Sequence, residues 1–412
     1  MTNSKTIDPG TALMSDPLER ALITTAGGLD ELVSRLRATG RFAFDTEFVS
    51  EDTFEPVLCL IQVATAEELV AIDSLAVRDI TPFWDAVIDP EIEVVMHASG
   101  EDLRICRFQT GRVPVRVFDV QIAAGLVGFG YPLSLGNLVS QAMGMSVFGG
   151  ETRTDWRKRP LSPAQLRYAL DDVRYLLPLA DRLQERLREL DRADWAEDEF
   201  RDFLSGIENR DEESRWRKLP GLHHLNRRGL EAARRLSQWR ADEARRANRP
   251  VRQIIRDDLL VAIAKRQPTN RQDLEALRDF NRPHLLSKGH ELLAVIAEAQ
   301  KLSPDELPEH TGRHDEGPGL TMIVNVLAAA LATCCTEKKV AMSLLGSSAD
   351  LKELVRWQSK NRPESEQPFL TRGWREKVCG GTLLNVLAGK STVRIVNLDS
   401  DVPVAVDPLP DS

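Results

Sequence analysis

Short apolar segments alternate with amphipathic ones over residues 20–190. FAFDTEF, PVLCLIQVA, ELVAID and VVMHA, all between residues 42 and 98, are apolar runs of the length and composition of strands. LDELVSRLRA (29–38) and LRICRFQT (103–110) instead carry apolar residues at helical spacing. This alternation predicts an α/β domain.

From Ser162 onward the pattern is helical, and we expect no further strand. The segment SPAQLRYALDDVRYLLPLADRLQERLREL begins with Ser162 as a helix N-cap and Pro163 in the first turn. Two more helical blocks cover about 216–300 and 320–387. Between them, SPDELPEHTGRHDEGPG has the proline, glycine and acid content of a linker.

The longest apolar stretch, residues 322–335, is broken by Asn325 and is shorter than the roughly 20 residues that cross a bilayer. We therefore expect a buried helix and no membrane partner. The N-terminal residues contain no apolar run of the kind that a signal peptide needs, so we expect a loose tail and a cytoplasmic protein.

Composition indicates several domains and one basic module. A chain of 412 residues exceeds the size at which a single core keeps growing. The net charge is −9, yet residues 211–300 contain 19 Lys and Arg against 13 Asp and Glu. The five cysteines form no CxxC pair, which argues against structural zinc and favours a reducing compartment.

Acidic residues interrupt the apolar pattern at three places. Asp45 and Glu47 end an apolar strand and share one of its faces, where two like charges need a cation or several donors unless the strand end reaches solvent. Asp102 falls in the first turn of a helix, where Glu101 would complement the helix dipole equally well.

The third place is Tyr168 and Asp172, which are four residues apart and so lie one above the other on a helix. An isolated pair of this kind is more often a core tyrosine beside an acid that pairs with a neighbouring arginine. Each of the three patterns is therefore weak by itself.

Their order and spacing together resemble the DEDD exonuclease superfamily, in its tyrosine-bearing branch and, within that branch, ribonuclease D. The resemblance rests on DTEF (45–48), H-x4-DL (97–103) and TDWRKRPLSPAQLRYALDDVRYLLPL (154–179). It extends to FDVQIAAGLVGFGYPLSLGNLV (118–139), to the helicase-and-RNase-D C-terminal (HRDC) domain at about 216–300, and to LTRGWREKVCGGTLLNVLAG (370–389).

The resemblance implies a fold, an activity and a cofactor. We expect an α/β ribonuclease H-like exonuclease domain, a mixed sheet flanked by helices, followed by two all-α helical bundles. The implied activity is 3′-to-5′ exoribonuclease action on RNA with a free 3′ end, tRNA precursors being the family's substrates. The implied cofactors are two divalent cations, Mg²⁺ or Mn²⁺, and no obligate protein partner is evident.

The domain boundaries follow the motifs and the changes of composition. We expect, in order, a tail (1–19), the exonuclease domain (20–205), an HRDC-type domain (208–302), a linker (303–319), a second HRDC-like domain (320–400) and a tail (401–412).

Carried over by position, the metal-binding acids are Asp45, Glu47, Asp102 and Asp172, and Tyr168 joins them as a catalytic residue that orients the attacking water. Glu101 and Asp171 are then bystanders. His97 lies near Asp102, but in this branch the tyrosine orients the attacking water. We therefore interpret His97 as a packed strand-end residue.

Two groups of cations are candidates for substrate contact. Just before the tyrosine helix, one aromatic lies among four cations, which suits phosphate binding and base stacking but equally suits a solvated loop whose tryptophan fills the core: Arg153, Trp156, Arg157, Lys158 and Arg159. The basic module adds an arginine-rich face that would bind phosphates without regard to base sequence: Arg227, Arg228, Arg234, Arg235, Arg240, Arg245, Arg246, Arg249, Arg252 and Arg256.

Two other functions remain open. A DNA proofreading or repair exonuclease would use the same acids, because metal chemistry at a phosphodiester is indifferent to the sugar. A catalytically inactive RNA-binding scaffold would keep only the helical domains in use, although all four acids and the tyrosine are present.

Overall fold

The computed structural model describes residues 21–146, 154–209, 216–309, 318–359 and 364–410. The expected N-terminal tail and residues 310–317 of the expected linker lie outside these ranges. The chain forms two compact units, the first made of residues 1–47, 58–123 and 133–186 and the second of residues 48–57, 124–132 and 187–412. The predicted domain boundaries stay predictions.

The first unit is built on a six-stranded mixed sheet with the strand order β1-β4-β3-β2-β5-β6. Strand β4 pairs antiparallel with β3, whereas β2, β5 and β6 run parallel to one another. The strands are β1 (Leu22–Ile23), β2 (Arg41–Val49), β3 (Val57–Ala64), β4 (Leu69–Ile72), β5 (Glu93–Met96) and β6 (Val117–Asp119).

Helices accompany this sheet along the chain, which confirms the predicted mixed sheet flanked by helices. They are α1 (Ala26–Thr39), α2 (Thr81–Val87), α3 (Gly100–Thr110), α4 (Val120–Val127), α5 (Leu135–Met143), α6 (Pro163–Arg174) and α7 (Leu176–Glu189).

Strand β2 has a fully buried first half. Phe42, Ala43 and Phe44 have no exposed surface, and the Phe44 ring packs edge-on against Phe83 of α2 with ring centroids 5.6 Å apart. Aromatic side chains dominate core energetics by the area they bury. The strand is therefore held rigidly up to the point where its acidic residues begin.

The helical stretch after Ser162 begins as predicted but is divided in two. The Ser162 hydroxyl accepts from the Gln165 amide at 3.1 Å, and the Gln165 side chain accepts from the Ser162 amide at 2.9 Å, forming a capping box with Pro163 as the first helical residue. The stretch breaks at Tyr175, between α6 and α7. Pro178 explains the break, because proline has no N–H to continue the hydrogen-bond ladder.

The second unit contains a helical core formed by residues 216–299. The longest helix of this core, α9, packs against α11 and α14. An ion pair joins the buried Arg240 to Asp257 at 2.7 Å. Its helices are α8 (Ala193–Glu208), α9 (Arg227–Ala247), α10 (Val251–Ile254), α11 (Asp257–Arg266), α12 (Arg271–Glu275), α13 (Pro283–Ser287) and α14 (Gly289–Lys301).

The C-terminal part of the second unit is not entirely helical. A hairpin of β7 (Ser391–Ile395) and β8 (Val404–Pro408) follows the helices, and the Thr333 hydroxyl lies 3.3 Å from the carbonyl oxygen of Val404. The expectation that no strand follows Ser162 is therefore wrong. The helices are α15 (Pro318–Lys338), α16 (Met342–Leu345), α17 (Ser348–Ser359), α18 (Gly373–Arg375) and α19 (Gly381–Leu387).

Helix α15 contains the long apolar stretch, and only one of its faces is covered. Leu327 and Leu331 are fully buried, whereas Met322 is 69% exposed and Val326 46% exposed. The expectation of a buried helix is thus correct for one face only. Among the described residues α15 is the one helix long and apolar enough to cross a membrane, a weak sign because core helices of soluble proteins meet the same criterion.

A buried arginine holds the end of α15. Arg192 is 7% exposed, and its guanidinium donates to the carbonyl oxygens of Leu126 and Lys338, both at 2.5 Å. Nearby, Trp195 stacks on Trp374 with ring centroids 5.5 Å apart. The C-terminal helices are therefore attached to the rest of the second unit by buried polar and aromatic contacts.

Removing the capping hydroxyl tests the start of α6. We expect Ser162→Ala to destabilise the folded state by about 0.5–2 kcal/mol, because one orphan amide of the first turn loses its acceptor. Hydrogen exchange of the amides of residues 164–166 should accelerate. Ser34→Ala, which removes a mid-helix hydroxyl bonded only to the Asp30 carbonyl, serves as the control and should leave exchange in α6 unchanged.

Candidate active site

Three elements bring the predicted acids toward one cavity. Strand β2 carries Asp45 and Glu47, and α6 carries Tyr168 and Asp172. The cavity has a volume of about 690 Å³ and is lined by Asp45, Thr46, Glu47, His97, Ser134, Leu135, Gly136, Asn137, Ser140, Ser146, Tyr168, Asp171, Asp172 and Leu176. Residues from distant parts of the chain therefore share one polar pocket.

Asp102, in the first turn of α3, lies behind this lining. Its side chain is 6% exposed, and the Thr46 hydroxyl of β2 donates a short hydrogen bond to it. A buried carboxylate needs such donors, because its desolvation is otherwise costly. Thr46 thus links the fourth acid to the strand that carries the first two.

The turn that presents Asp102 is organised by a buried carboxylate at the end of β6. Asp119 accepts from the Ser99 amide at 2.9 Å, from the Ser99 hydroxyl at 2.8 Å and from the Ala98 amide at 3.2 Å. Ala98 has a φ of 55°, a left-handed conformation that is uncommon for a residue with a side chain. The hydrogen bonds from Asp119 hold the chain in this conformation immediately before α3.

Tyr168 and Asp172 form the expected pair on α6. The Tyr168 phenol interacts with the Asp172 carboxylate and lowers its pKa against the effect of burial, and the ring of Trp156 lies beside that of Tyr168 with centroids 6.2 Å apart. The capping box fixes where α6 begins, a few residues upstream of this pair. The four-residue spacing then brings the two side chains onto one face of the helix.

Burial raises the pKa of all four acids, and two of them are also affected by the charges of the others. Burial, then the charges of Asp102, Asp172 and Glu47, holds the pKa of Asp45 well above its usual range. Burial together with Asp172 and Asp102 raises the pKa of Glu47 to about 8. Burial is also the main cause of the raised pKa values of Asp172, about 7, and Asp102, about 6.

The tyrosine responds to the same field. Burial and the carboxylates of Asp172, Glu47 and Asp45 raise the pKa of the Tyr168 phenol. No described Lys or Arg forms an ion pair with any of the four acids. Within the described part of the chain, the acids therefore lack a basic partner, which agrees with their raised pKa values.

The donor set suits a hard divalent cation, since such ions prefer carboxylate oxygens. Within the described ranges, no three Asp, Glu, His or Cys side chains already surround a common point as metal ligands do. Coordination therefore requires the carboxylates to rotate toward the ion, a movement opposed by their mutual repulsion until positive charge is present.

The polar residues next to the four acids have partners of their own. Glu101 pairs with Arg104 and is 61% exposed, and Asp171 pairs with Arg174 at 2.7 Å. Nε2 of His97 lies 2.9 Å from the Leu133 carbonyl oxygen, which can only accept, so this nitrogen donates. Burial lowers the pKa of His97, and this geometry agrees with a packed residue.

The candidate substrate contacts just before α6 mostly have partners inside the fold. Trp156 is 4% exposed and therefore follows the core-filling alternative. Arg159 pairs with Asp73 at 2.6 Å and also donates to backbone carbonyls, so its guanidinium has partners inside the fold and its role as a phosphate contact stays a prediction. Arg157 pairs with Asp155 but remains 43% exposed. Arg153 lies outside the described residues.

The predicted arginine face is mostly occupied by internal partners. Glu231 pairs with Arg234 and Arg235, and Arg227 and Arg228 donate to backbone carbonyls. Arg240, Arg245, Arg246, Arg252 and Arg256 have acidic partners. The exposed pairs can still meet a phosphate, because surface ion pairs are weak.

Three structural residues of the site were missed from the sequence: Thr46, Asp73 and Asp119. Asp73 and Asp119 both end apolar strands, which is the same signal that drew attention to Asp45. Thr46 lies between the two acids of DTEF but carries no charge, so its spacing alone could not reveal its bond to Asp102.

Comparison with known proteins decides the family. Residues 21–188 match a 3′-5′ exonuclease family model, 229–296 match the HRDC domain and 318–383 match the C-terminal HRDC domain of ribonuclease D. The chain is 36% identical to ribonuclease D of Gluconacetobacter diazotrophicus over 90% of this chain and 93% of that relative. The chain belongs to the ribonuclease D family.

Other members of the ribonuclease D family agree. The identity to ribonuclease D of Zymomonas mobilis is 33%, over 90% of this chain and 94% of that protein. The crystal structure of Escherichia coli RNase D, described as an exoribonuclease involved in structured RNA processing, matches with a TM-score of 0.78 and 30% identity over 89% of this chain and 98% of that chain. The predicted fold class and 3′-5′ exoribonuclease activity are confirmed, and the two alternative functions are not favoured.

The raised pKa of Glu47 predicts how stability depends on pH when metal is removed by a chelator. The folded chain holds the proton up to about pH 8, whereas an ordinary glutamate releases it near 4.5. Folding therefore binds a proton, and its stability falls as the pH rises between these values. The unfolding midpoint of Glu47→Gln should decline less steeply from pH 5 to pH 8; a slope equal to that of the parent would contradict the shift.

Proposed function

We propose that this ribonuclease D family member hydrolyses RNA from a free 3′ end with two divalent cations, Mg²⁺ or Mn²⁺, held by Asp45, Glu47, Asp102 and Asp172. The observation that carries the proposal is the convergence of Asp45, Glu47 and Asp172 on one cavity beside Tyr168, with Asp102 behind its lining and hydrogen-bonded to Thr46. A site that raises its own carboxyl pKa values in this way favours any cation that enters it.

Each element has a defined part in this arrangement. Strand β2 presents Asp45 and Glu47, α6 presents Asp172, and Thr46 holds Asp102 close to β2. When bound, a pair of divalent cations supplies activation of water and neutralisation of charge at the leaving 3′-oxygen. The carboxylates bind the cations and orient them, and the cavity walls limit how the RNA end can enter.

Tyr168 is proposed to orient the attacking water by hydrogen bonding. A phenol has an ordinary pKa near 10 and keeps its proton at neutral pH. Its hydroxyl bonds to Asp172, so it lies within reach of whatever that carboxylate binds. Tyr168 would therefore position a water molecule, and the divalent cations, when bound, would lower the pKa of water.

The substrate is proposed to be structured RNA with a free 3′ end, including tRNA precursors. Two HRDC-type segments follow the exonuclease domain, and residues 211–300 carry more basic than acidic side chains. Arg157 and the exposed arginine pairs of α9 supply the contacts to phosphate. We further propose a cytoplasmic protein that needs no partner chain, with the domain boundaries given by the sequence.

Asp45→Asn tests the metal site. We expect loss of Mg²⁺-dependent nucleotide release by roughly 100-fold or more, the scale of removing one electrostatic stabiliser of a transition state. RNA binding, measured by fluorescence anisotropy, should persist. Glu101→Gln is the matched control, since Glu101 is an ion-paired acid beside Asp102, and its activity should equal that of the parent. Full turnover by Asp45→Asn would remove Asp45 from the mechanism.

The choice of sugar is tested with paired 3′-labelled RNA and DNA oligonucleotides of the same sequence. We expect faster shortening of the RNA strand in Mg²⁺, and a tRNA precursor with a 3′ extension should be trimmed to a discrete product. Gel analysis of the time course reports both results. Preference for the DNA strand would overturn the proposed substrate, whereas the metal site would stand.

A further inference from the structure

All three guanidinium nitrogens of Arg159 donate hydrogen bonds to groups within the first unit. Nε and Nη2 donate to the two carboxylate oxygens of Asp73 at 2.6 and 2.8 Å. Nη2 also donates to the Cys59 carbonyl at 2.8 Å. Asp73 follows β4 directly and Cys59 lies within β3, so the arginine is attached to two neighbouring strands of the sheet.

The remaining nitrogen of Arg159 reaches back to the turn that precedes it. Nη1 donates to the Trp156 carbonyl at 2.7 Å and to the Lys158 carbonyl at 2.9 Å. Two residues before Trp156, the Thr154 hydroxyl accepts a hydrogen bond from Nε2 of Gln165 in α6 at 2.9 Å. The short segment containing Trp156 is therefore held both to the sheet and to the start of α6.

Trp156 is the side chain that this segment presents to the site. It is 4% exposed, and its ring lies at 35° to that of Tyr168, with centroids 6.2 Å apart. A bulky aromatic packed beside another restricts the rotamers open to it. Tyr168 thus has the Trp156 ring as a packing neighbour and the Asp172 carboxylate as a polar one.

We propose that Arg159, acting through Trp156, is a positioning residue that keeps the Tyr168 hydroxyl in its working orientation. The inference rests on the proposed role of Tyr168 in orienting water. It separates Arg159 from substrate binding, because all of its donor groups already have partners in the fold. Loosening Trp156 should therefore lower kcat and leave KM and metal affinity unchanged, since neither phosphates nor cations are touched.

Trp156→Leu tests this in two backgrounds. In the otherwise natural chain we expect kcat on a 3′-labelled RNA to fall by about 10-fold or more, because small misplacements of catalytic groups are costly. In a Tyr168→Phe chain the same change should have little further effect, since residues that act as a unit are not additive. Trp156→Phe, which keeps an aromatic ring, should recover most of the activity.

Arg159→Lys and Arg159→Gln extend the test to the anchor. Both should show the same fall in kcat without a rise in KM, and Mn²⁺ affinity measured by calorimetry should equal that of the parent. Arg35→Gln breaks another bidentate arginine–carboxylate pair in the same unit, with Glu68, and should leave kcat unchanged. If Arg159→Gln does not fold, the Trp156 variants decide.

The possible failures are distinguishable. Equal losses of kcat from Trp156→Leu in both backgrounds, with Tyr168→Phe itself impaired, would overturn the inference and spare the proposed function. A raised KM with unchanged kcat would make Arg159 and Trp156 substrate contacts and overturn the inference. A Tyr168→Phe chain with the parent's kcat would overturn the role of Tyr168 and, with it, this inference.

Discussion

Repulsion between buried carboxylates is the constraint around which the first unit is arranged. Asp45, Glu47, Asp102 and Asp172 come from three elements, and burial raises the pKa of each. The charges of other acids of the set add to this for Asp45 and Glu47. Such a group of acids destabilises the fold that contains it. Divalent cations would supply the positive charge that offsets this repulsion.

The same sheet contains acids with the opposite character. Burial alone would raise the pKa of Asp73, but the hydrogen bonds and charge of Arg159 lower it instead. Asp119 is as buried as any acid of the site, yet it accepts several hydrogen bonds from the turn beside it. Asp73 and Asp119, which have several donors, hold neighbouring segments in place, whereas Asp45, Glu47 and Asp172 line the cavity. The distinction lies in their partners and not in their burial.

Much of the fold could be predicted because its signals are local. The buried half of β2, the capping box at Ser162 and the pairing of Tyr168 with Asp172 all depend on residues a few positions apart. The contacts of Trp156 and Arg159 could not be predicted, because their partners are distant in the sequence. Trp156 packs beside Tyr168, 12 residues away in α6, and Arg159 pairs with Asp73, 86 residues away and directly after β4. A basic, aromatic segment looks the same in a sequence whether it faces RNA or the core.

The C-terminal hairpin was missed for a different reason. TVRIV and VPVAV do alternate, but they follow a long helical block and are only a few residues each. Short strands carry little periodic signal, and their formation depends on packing against a neighbour. Here the neighbour is α15, through Thr333 and Val404.

The position of Arg192 has a practical consequence for dividing the chain. Its guanidinium is buried and bonded to carbonyl oxygens at Leu126 and at Lys338, the last residue of α15. Cutting the chain in the linker before α15 would strip this cation of some of its acceptors without removing the cation itself. A truncated exonuclease made that way would expose the surface that the missing helices normally cover. Its activity and stability would therefore reflect this exposed surface as well as the loss of the domain.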